Sequence, residues 1–560
     1  MEIISPRGIS LRSFVPVLVG ALIATVIVYF RIQDVLPTIF GDELVYQKMS
    51  YWEDYGTYLG NGIYSALFSI TEGLGLAAYT LIKQINSLFL FATGIAVGLY
   101  AIRRVSPYLA AVLAFAAVFS PVGVYASFFM PEVMFFAVMS WSLVLFDYYW
   151  HSESIRNAFA FFSGSLLLLT IASLVKPHAL FLLPVYLLFL LLNKQTQMTV
   201  RLGVAALATG LVVAVNILLT LIFAPGEMPL FGDYMSGVFN LLFGSDATEA
   251  VTDSTEQVPS QVTPEINLLS FILGQLIGFL VITFSAIGAA FALVWAGNKG
   301  RLHSKFSSAM VIWLIVVITA FAFYVTTSGD DHSDRILLRY IEWLFVFVIV
   351  DAAASLAKAD EIPNWKRNLV GVVAIIQAAS AFIYPQLGYE TLISDSIFGS
   401  GVALNADSPW LIAILSLALA YVMLRVPERA PVLVSSALAL TLVGVGFSAQ
   451  QYQMDVNSTA VSSDKAGIYL YEEYAGEFNE PLLIVGSDRT LNQSTIFWSR
   501  EYEARLQTTD AGRAITVTES EIEQVVLTLD GITLNDSEYV ETLYEGDGFI
   551  LYQVDQVLPE

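Results

Sequence analysis

The fold class is decided by residues 14–32, FVPVLVGALIATVIVYFRI, and by their contrast with residues 41–58, GDELVYQKMSYWEDYGTY. The first stretch is apolar over about the 20 residues that a helix needs to cross a bilayer core of roughly 30 Å. No small-residue cleavage site precedes the polar sequence, so we expect a retained helix rather than a signal peptide. The second stretch places Asp42 and Glu43 where the chain leaves this segment.

The composition is that of a membrane protein. The chain has 560 residues, of which 56% are hydrophobic and 13% are charged, and its mean hydropathy is +0.68. Soluble globular proteins carry about 25% charged residues, so the soluble class is excluded. The absence of cysteine excludes disulfides and thiol chemistry. With a net charge of −23, no nucleic-acid partner is expected.

Similar apolar segments recur along the chain, and they predict the architecture. The thirteen segments are 14–32, 77–100, 108–127, 133–150, 157–175, 178–193, 202–224, 267–296, 307–327, 337–356, 368–385, 409–424 and 431–449. We therefore predict a polytopic α-helical membrane protein with about 13 transmembrane helices, formed by residues 1–450.

Basic residues near helix ends predict which side of the membrane each loop occupies, because they collect on the cytoplasmic side. The richer side carries 15, namely Arg7, Arg12, Arg103, Arg104, Arg156, Lys194, Arg201, Lys299, Arg301, Lys305, Lys358, Lys366, Arg367, Arg425 and Arg429. The other side carries 6 up to residue 450, namely Arg31, Lys48, Lys83, Lys176, Arg335 and Arg339. This predicts a multi-pass plasma-membrane protein with a cytoplasmic N-terminus and an extracytoplasmic C-terminus.

The tail, residues 451–560, differs in character from the rest of the chain. It holds 21 acidic residues against 5 basic ones. AGIYLYEEYAGEF is typical of a helix, whereas PLLIVGSD, EQVVLTLDG and GFILYQV are typical of buried strands bounded by turn residues. We predict a small α/β domain outside the membrane and attribute its acidity to solubility or a salty medium.

Several ionisable residues lie on the predicted outer face, each close to an apolar segment. They are Asp42 and Glu43 in the first external loop (33–76), Glu132, Lys176, His178, Asp331, His332, Arg335 and Arg339. Singly, such groups are often solvated helix ends or side chains that reach toward the headgroups. Together they suggest a polar cleft at the bilayer surface. Carboxylates and cations there suit chemistry on a lipid phosphate, with a base for a hydroxyl and positive charge for the departing phosphate.

The same stretches resemble the GT-C membrane glycosyltransferases, in particular protein O-mannosyltransferases and lipid A aminoarabinose transferases. The stretches are FGDELVYQKMSYWEDYG with NGIYSALFS, then YAIRRVSP, SFFMPEVMFF, LVKPHALFLLP and LLRYIEWLFVF. Each string alone is weak, but their order and sidedness over residues 10–350 make the set specific. The arrangement of many helices with an outer C-terminal α/β domain also resembles that family.

The resemblance implies inverting transfer of a sugar from a polyprenyl-phosphate donor to a glycan, lipid or protein acceptor. Asp42 would be the general base, Glu43 would orient the acceptor or assist a cation, and Glu132 would support the pocket. The residues expected to contact the lipid phosphate or the sugar are Lys176, His178, Arg335, Arg339, Tyr340, Tyr46 and Trp52. Trp52 and its neighbouring tyrosines are otherwise interfacial aromatics that could stack on a sugar ring.

Other functions remain open at this stage. A transporter or flippase predicts charges deep within helices and an internal repeat, whereas the predicted segments are free of charges at mid-depth and show no repeat. A non-catalytic envelope-assembly protein would keep the architecture with a degenerate site. The four His are scattered without ligand spacing, so no metal site is predicted. No cofactor is firmly implied, and a divalent cation beside the carboxylates is left open.

Overall fold

The computed structural model describes most of the chain. The described residues are 10–37, 41–52, 62–193, 197–223, 230, 268–297, 305–327, 336–356, 362–388, 396–403, 407–425, 430–474, 482–515, 524–535 and 539–555. Every structural statement below concerns these residues.

Helices dominate, as the apolar segments predict. In chain order they are α1 Leu11–Ile32, α2 Gly41–Tyr51, α3 Gly62–Phe68, α4 Ala77–Ile102, α5 Pro107–Phe119, α6 Glu132–Trp150, α7 Ile155–Ser173, α8 Leu183–Leu192, α9 Met198–Phe223, α10 Leu268–Gly297, α11 Phe306–Thr327, α12 Phe345–Leu356, α13 Asn364–Ile383, α14 Ile397–Ala403, α15 Asp407–Arg425 and α16 Ala430–Asn457. Short 3₁₀ turns lie between them, at Ser69–Leu74, Pro121–Ser127, Pro177–Leu182, Leu338–Tyr340, Glu342–Leu344 and Tyr384–Gln386.

The protein is a multi-pass membrane protein. Within the described ranges, nine helices are long and apolar enough to cross a bilayer. A tenth span arises if α5 and the 3₁₀ turn that follows it, bent by 48°, are counted as one. The predicted count of thirteen is not confirmed. The remaining predicted segments correspond to shorter helices: Pro177–Leu192, Phe306–Ala320 and α12, which two 3₁₀ turns precede.

Small residues let the membrane helices pack closely. A Cβ on Gly20 of α1 would lie 2.6 Å from the backbone oxygen of Ala111 in α5, and one on Gly446 of α16 would lie 2.1 Å from that of Phe119. Because lipid tails are as apolar as leucine, close backbone packing replaces the hydrophobic effect as the force between such helices. The glycines therefore fix which helices cross and how closely.

The C-terminal region is an α/β unit, as predicted. Its strands are β1 Leu482–Gly486, β2 Arg505–Thr508, β3 Ala514–Ile515, β4 Gln524–Leu529, β5 Thr533–Leu534, β6 Val540–Glu545 and β7 Phe549–Val554, with helices α17 Ser462–Tyr474 and α18 Arg489–Ser499. Five strands form one sheet in the order β2-β1-β4-β7-β6, parallel in its first half and antiparallel in its second, and β3 pairs with β5. The three strands expected from sequence coincide with β1, β4 and β7.

Candidate active site

Helix α2 presents the acidic pair in two directions. Asp42 and Glu43 lie in its first turn, where the positive end of the helix dipole favours carboxylates. Successive residues of an α-helix point about 100° apart, so the two side chains meet different surroundings. The Asp42 side chain is 38% exposed, whereas Glu43 is completely buried.

Asp42 forms an ion pair with Arg339. The guanidinium Nη1 of Arg339 donates to Asp42 Oδ2 at 2.7 Å, and its Nη2 donates to the hydroxyl of Tyr340 at 3.1 Å. Arg339 lies in the 3₁₀ turn that leads into α12, and its side chain is only 11% exposed. The structure therefore brings together two residues that are 297 positions apart.

A second ion pair adjoins the first. Glu132 begins α6 and is fully buried, and its Oε1 accepts a hydrogen bond from Lys176 Nζ. The same Oε1 lies 4.0 Å from Nη1 of Arg339. Lys176 precedes Pro177 and adopts extended backbone angles, as residues before proline do. Asp42, Arg339, Glu132 and Lys176 thus form one continuous group of alternating charges.

Aromatic side chains flank the two cations. The ring of Tyr340 stacks on His178, with centroids 4.2 Å apart and planes inclined by 22°. Lys176 Nζ lies 4.8 Å from the centre of the Tyr340 ring, and the guanidinium carbon of Arg339 lies 5.1 Å from it. Both cations are in range for cation–π attraction. Tyr340 therefore holds the two cations and His178 together.

Glu43 has a different environment from its neighbour. Its Oε1 accepts from the backbone N–H of Phe129 at 2.8 Å, three residues before Glu132. Its Oε2 is buried without a hydrogen-bond partner among the described residues. Burial raises the pKa of Glu43 well above its ordinary value, against the opposing effects of the Phe129 N–H and the charge of Lys83. Glu43 joins α2 to the turn that carries Glu132.

The other predicted residues are placed as follows. Tyr46 is buried one turn after Asp42, and its ring contacts Tyr64 edge to face at 5.8 Å. Burial, followed by the charges of Asp42 and Glu132, raises its pKa well above the ordinary value. Trp52 stacks on Tyr502 of the C-terminal unit, with centroids 5.9 Å apart. Arg335 lies outside the described residues.

Lys83 is a residue near the site that the sequence reading did not select. It lies inside the apolar helix α4, is 3% exposed, and donates to the backbone oxygens of Gln33 and Val35 just after α1 ends. A lysine within an apolar segment is costly unless it has such partners, and this is the signal that could have drawn attention to it. Its contacts fix the start of the first external loop.

A second buried charge network lies near the other end of α4 and α6. Arg104 Nε lies 3.2 Å from Asp351 Oδ1, and the same guanidinium donates to Asp147. Asp351, on α12, also accepts from the hydroxyls of Tyr100 and Ser307, at 3.0 Å and 2.6 Å. This network joins α4, α6, α11 and α12. It thereby fixes the helix that follows Arg339.

The arrangement can carry out acid–base chemistry beside a phosphate. A partly exposed carboxylate can accept a proton, and two adjacent cations can balance an incoming or departing phosphate. Among the described residues, no group of three or more His, Asp or Glu side chains is arranged to hold a metal ion.

Comparisons with known proteins found similarity at the level of structure. No family model matches the chain, and the search of curated proteins found no match. The chain is similar to ArnT from Cupriavidus metallidurans in the apo state, with 13% identity, a TM-score of 0.49, and coverage of 96% of this chain and 97% of that one. It is similar to the same enzyme bound to undecaprenyl phosphate at 12% identity, with the same TM-score and coverage.

A third similar structure is the apo oligosaccharyltransferase of Archaeoglobus fulgidus, with 11% identity and a TM-score of 0.41, covering 87% of this chain and 64% of that one. At identities and TM-scores this low, these similarities do not bear on the reaction of this chain.

Proposed function

We propose that the chain is an integral membrane glycosyltransferase. It moves a sugar from a polyprenyl-phosphate-linked donor to an acceptor outside the cytoplasm, with inversion at the anomeric carbon. The observation that supports this best is the contact between Asp42 and Arg339, within a group that also contains Glu132 and Lys176. A base and two cations at a membrane entry point are the groups that such a transfer needs.

In the proposed reaction Asp42 is the general base. Its carboxylate removes the proton of the acceptor hydroxyl, and the oxygen forms a bond to the anomeric carbon. At the same time, the bond from that carbon to the phosphate oxygen breaks on the opposite face of the sugar. The electron pair leaves with the polyprenyl phosphate, and the proton is later released from Asp42 to water.

The cations act on the phosphate. Arg339 and Lys176 stabilise the negative charge that develops as the polyprenyl phosphate departs. Arg339 donates to Asp42 at 2.7 Å. A donor phosphate competes for that guanidinium and releases the carboxylate for its role as base. Donor binding thus prepares the base, and Tyr340 and His178 keep the cations in place.

The remaining residues support this arrangement. Glu132, buried between Lys176 and Arg339, holds the two cations at a fixed separation. Glu43 is completely buried, so we assign it to positioning α2 rather than to contact with the acceptor. Tyr46 contributes a wall beneath Asp42. The ring of Trp52 stacks on Tyr502, and its contact with the sugar stays a prediction.

The test is Asp42→Asn in protein reconstituted in lipid nanodiscs. A panel of synthetic polyprenyl-phosphate hexoses and pentoses serves as donor, a membrane extract supplies acceptors, and release of polyprenyl phosphate is measured. We expect a loss of about 100- to 10,000-fold, the usual contribution of a general base. Asp34→Asn, the same change at an exposed residue before α2, is the matched control. Full turnover by Asp42→Asn contradicts the assignment.

A further inference from the structure

Helix α2, which carries Asp42, depends on other parts of the chain for its position. It has eleven residues and follows the first membrane helix in the predicted external loop. Isolated helices of this length are marginal in water. Tertiary contacts must therefore define both its helicity and its direction.

Many of those contacts come from the C-terminal unit. Gln47 Nε2 donates to the backbone oxygen of Phe497 at 3.1 Å, and Lys48 Nζ donates to that of Tyr502 at 3.3 Å. The ring of Trp52 stacks on Tyr502. Phe497 is in the last turn of α18, and Tyr502 follows that helix closely. The second half of α2 and Trp52, just after it, are thus held by one short segment, 497–502, which we call the anchor segment.

Arg500 is the centre of the anchor segment. Its guanidinium donates to the backbone oxygens of Glu72 and Gly75, at 2.6 Å and 2.9 Å, at the turn before α4. The same group lies 4.7 Å from the centre of the Tyr51 ring in α2. Arg500 also has a φ of +61°, in the left-handed region that side chains other than glycine rarely adopt. The backbone turn directs this side chain between α2 and the membrane domain.

We propose that the C-terminal unit positions the catalytic base, through contacts of the anchor segment with the second half of α2. The proposal rests on the function proposed above for Asp42. A helix transmits displacement along its axis, and Gln47, five positions after Asp42, lies only about 8 Å further along that axis. A shift of about 1 Å at a reacting group is enough to slow catalysis substantially. Arg500 is a positioning residue in this scheme and does not contact the substrate.

Arg500→Gly isolates this role. Glycine adopts a φ of +61° without strain, so the turn is retained while the side-chain contacts are lost. The first readout is hydrogen–deuterium exchange of residues 41–52, which does not depend on any reaction. The second is kcat and KM with the polyprenyl-phosphate sugar that the wild-type protein uses best.

We expect exchange in residues 41–52 to become at least about tenfold faster, with β1 and β4 unchanged, because only the external anchor is lost. We expect kcat to fall about tenfold or more and KM for the donor to stay within about twofold, since the phosphate-binding cations are untouched.

Arg500→Lys keeps the charge without the planar fork and restores kcat in part. Lys465→Ala, which removes a surface ion pair with Asp547 inside the same unit, is the control and changes neither readout.

The outcomes separate the two proposals. Unchanged exchange at residues 41–52 in Arg500→Gly overturns the anchoring, even if Asp42→Asn abolishes transfer. Faster exchange with unchanged kcat overturns the positioning role. A third outcome is faster exchange in Arg500→Gly when the wild-type protein transfers no sugar from any donor tested. That result supports the anchoring but overturns the proposed function, and with it the role of α2 in catalysis.

Discussion

At the scale of single residues, Asp42 and Glu43 show how a helix gives adjacent, similar side chains different surroundings. Asp42 reaches the partly exposed ion pair with Arg339. Glu43 points into the core and bonds to the backbone of Phe129. In sequence the pair looks like one motif. Of the two carboxyl groups, that of Glu43 is completely buried, whereas the Asp42 side chain is 38% exposed.

Glu43 gives a prediction about pH. Burial raises its pKa above 4.5 in the folded protein, so folding favours the protonated form. The sign follows from linkage. The protonated Glu43 carboxyl contributes its full stability to the fold below pH 4.5, and this contribution is lost as pH rises through the raised pKa. We expect Glu43→Gln, which mimics the protonated form, to match wild type in Tm near pH 4. Above that pH it becomes the more stable protein, with the gap growing by up to about 1.4 kcal/mol per pH unit.

The measurement is thermal unfolding in detergent across the pH range, followed by intrinsic fluorescence. Glu153→Gln, at an exposed position between α6 and α7, is the matched control and should parallel wild type at every pH. A Tm difference for Glu43→Gln that stays constant from acidic to alkaline pH would show that this carboxyl does not titrate as described.

At the scale of elements, the contact between α16 and the end of α5 depends on a glycine. A Cβ on Gly446 would lie 2.1 Å from the backbone oxygen of Phe119 and 2.7 Å from the backbone carbon of Ser120. Backbone atoms cannot move aside as a side chain can. We expect Gly446→Ala to destabilise the protein by about 1–3 kcal/mol or more, as overpacking does.

Gly210→Ala provides the comparison, because nothing lies within 4 Å of a Cβ at that position of α9. There, alanine is a better helix former than glycine by up to about 1 kcal/mol, so Tm should hold or rise. Both variants are measured by thermal unfolding in the same detergent. If Gly446→Ala unfolds at the wild-type temperature, the close helix crossing is wrong.

The elements also show what the sequence could and could not predict. Apolar length predicted the long helices correctly, because a helix is the simplest way to satisfy backbone hydrogen bonds in lipid. It failed to predict the break within 337–356. There, two 3₁₀ turns precede α12, and Glu342 turns inward to accept from Ser396 and from the backbone N–H of Phe398. That partnership joins distant segments, so local pattern does not reveal it.

The sequence likewise predicted one part of the candidate site and missed another. The shared face and membrane entry points of Asp42, Glu132, Lys176 and Arg339 were visible in the sequence, and the structure brings these residues together. The anchoring by Arg500 was not visible, since an arginine in an acidic tail carries no local signal. Contacts of this kind depend on the packing of one unit against another.

At the scale of the whole molecule, the candidate site is held from two directions. The anchor segment fixes α2 and therefore Asp42. The buried network of Arg104, Asp147 and Asp351 fixes α12, which begins six residues after Arg339. Breaking a buried ion pair by removing one partner typically costs about 3–5 kcal/mol, so this support is rigid. The two supports, the anchor segment and the buried network, thus hold the two sides of the contact between Asp42 and Arg339.

This arrangement requires the C-terminal unit and α2 to lie on the same side of the membrane, which the contacts between them support. Which side that is follows from the distribution of basic residues, which predicts the outer face. The chain contains no cysteine, so single cysteines can be introduced without any background. Asp510→Cys, in the C-terminal unit, and Glu153→Cys, between α6 and α7, are both at exposed positions.

We expect a membrane-impermeant maleimide to label Asp510→Cys in intact cells. Glu153→Cys should be labelled only after the membrane is permeabilised, because its loop is predicted to be cytoplasmic. Labelling of both variants in detergent confirms that each thiol is reachable. The reverse pattern would place Asp42 and its cations on the cytoplasmic face, and the acceptor would then be a cytoplasmic molecule. Labelling of both variants in intact cells would mean that an even number of crossings separates residues 153 and 510, and the predicted order of spans between them would be wrong.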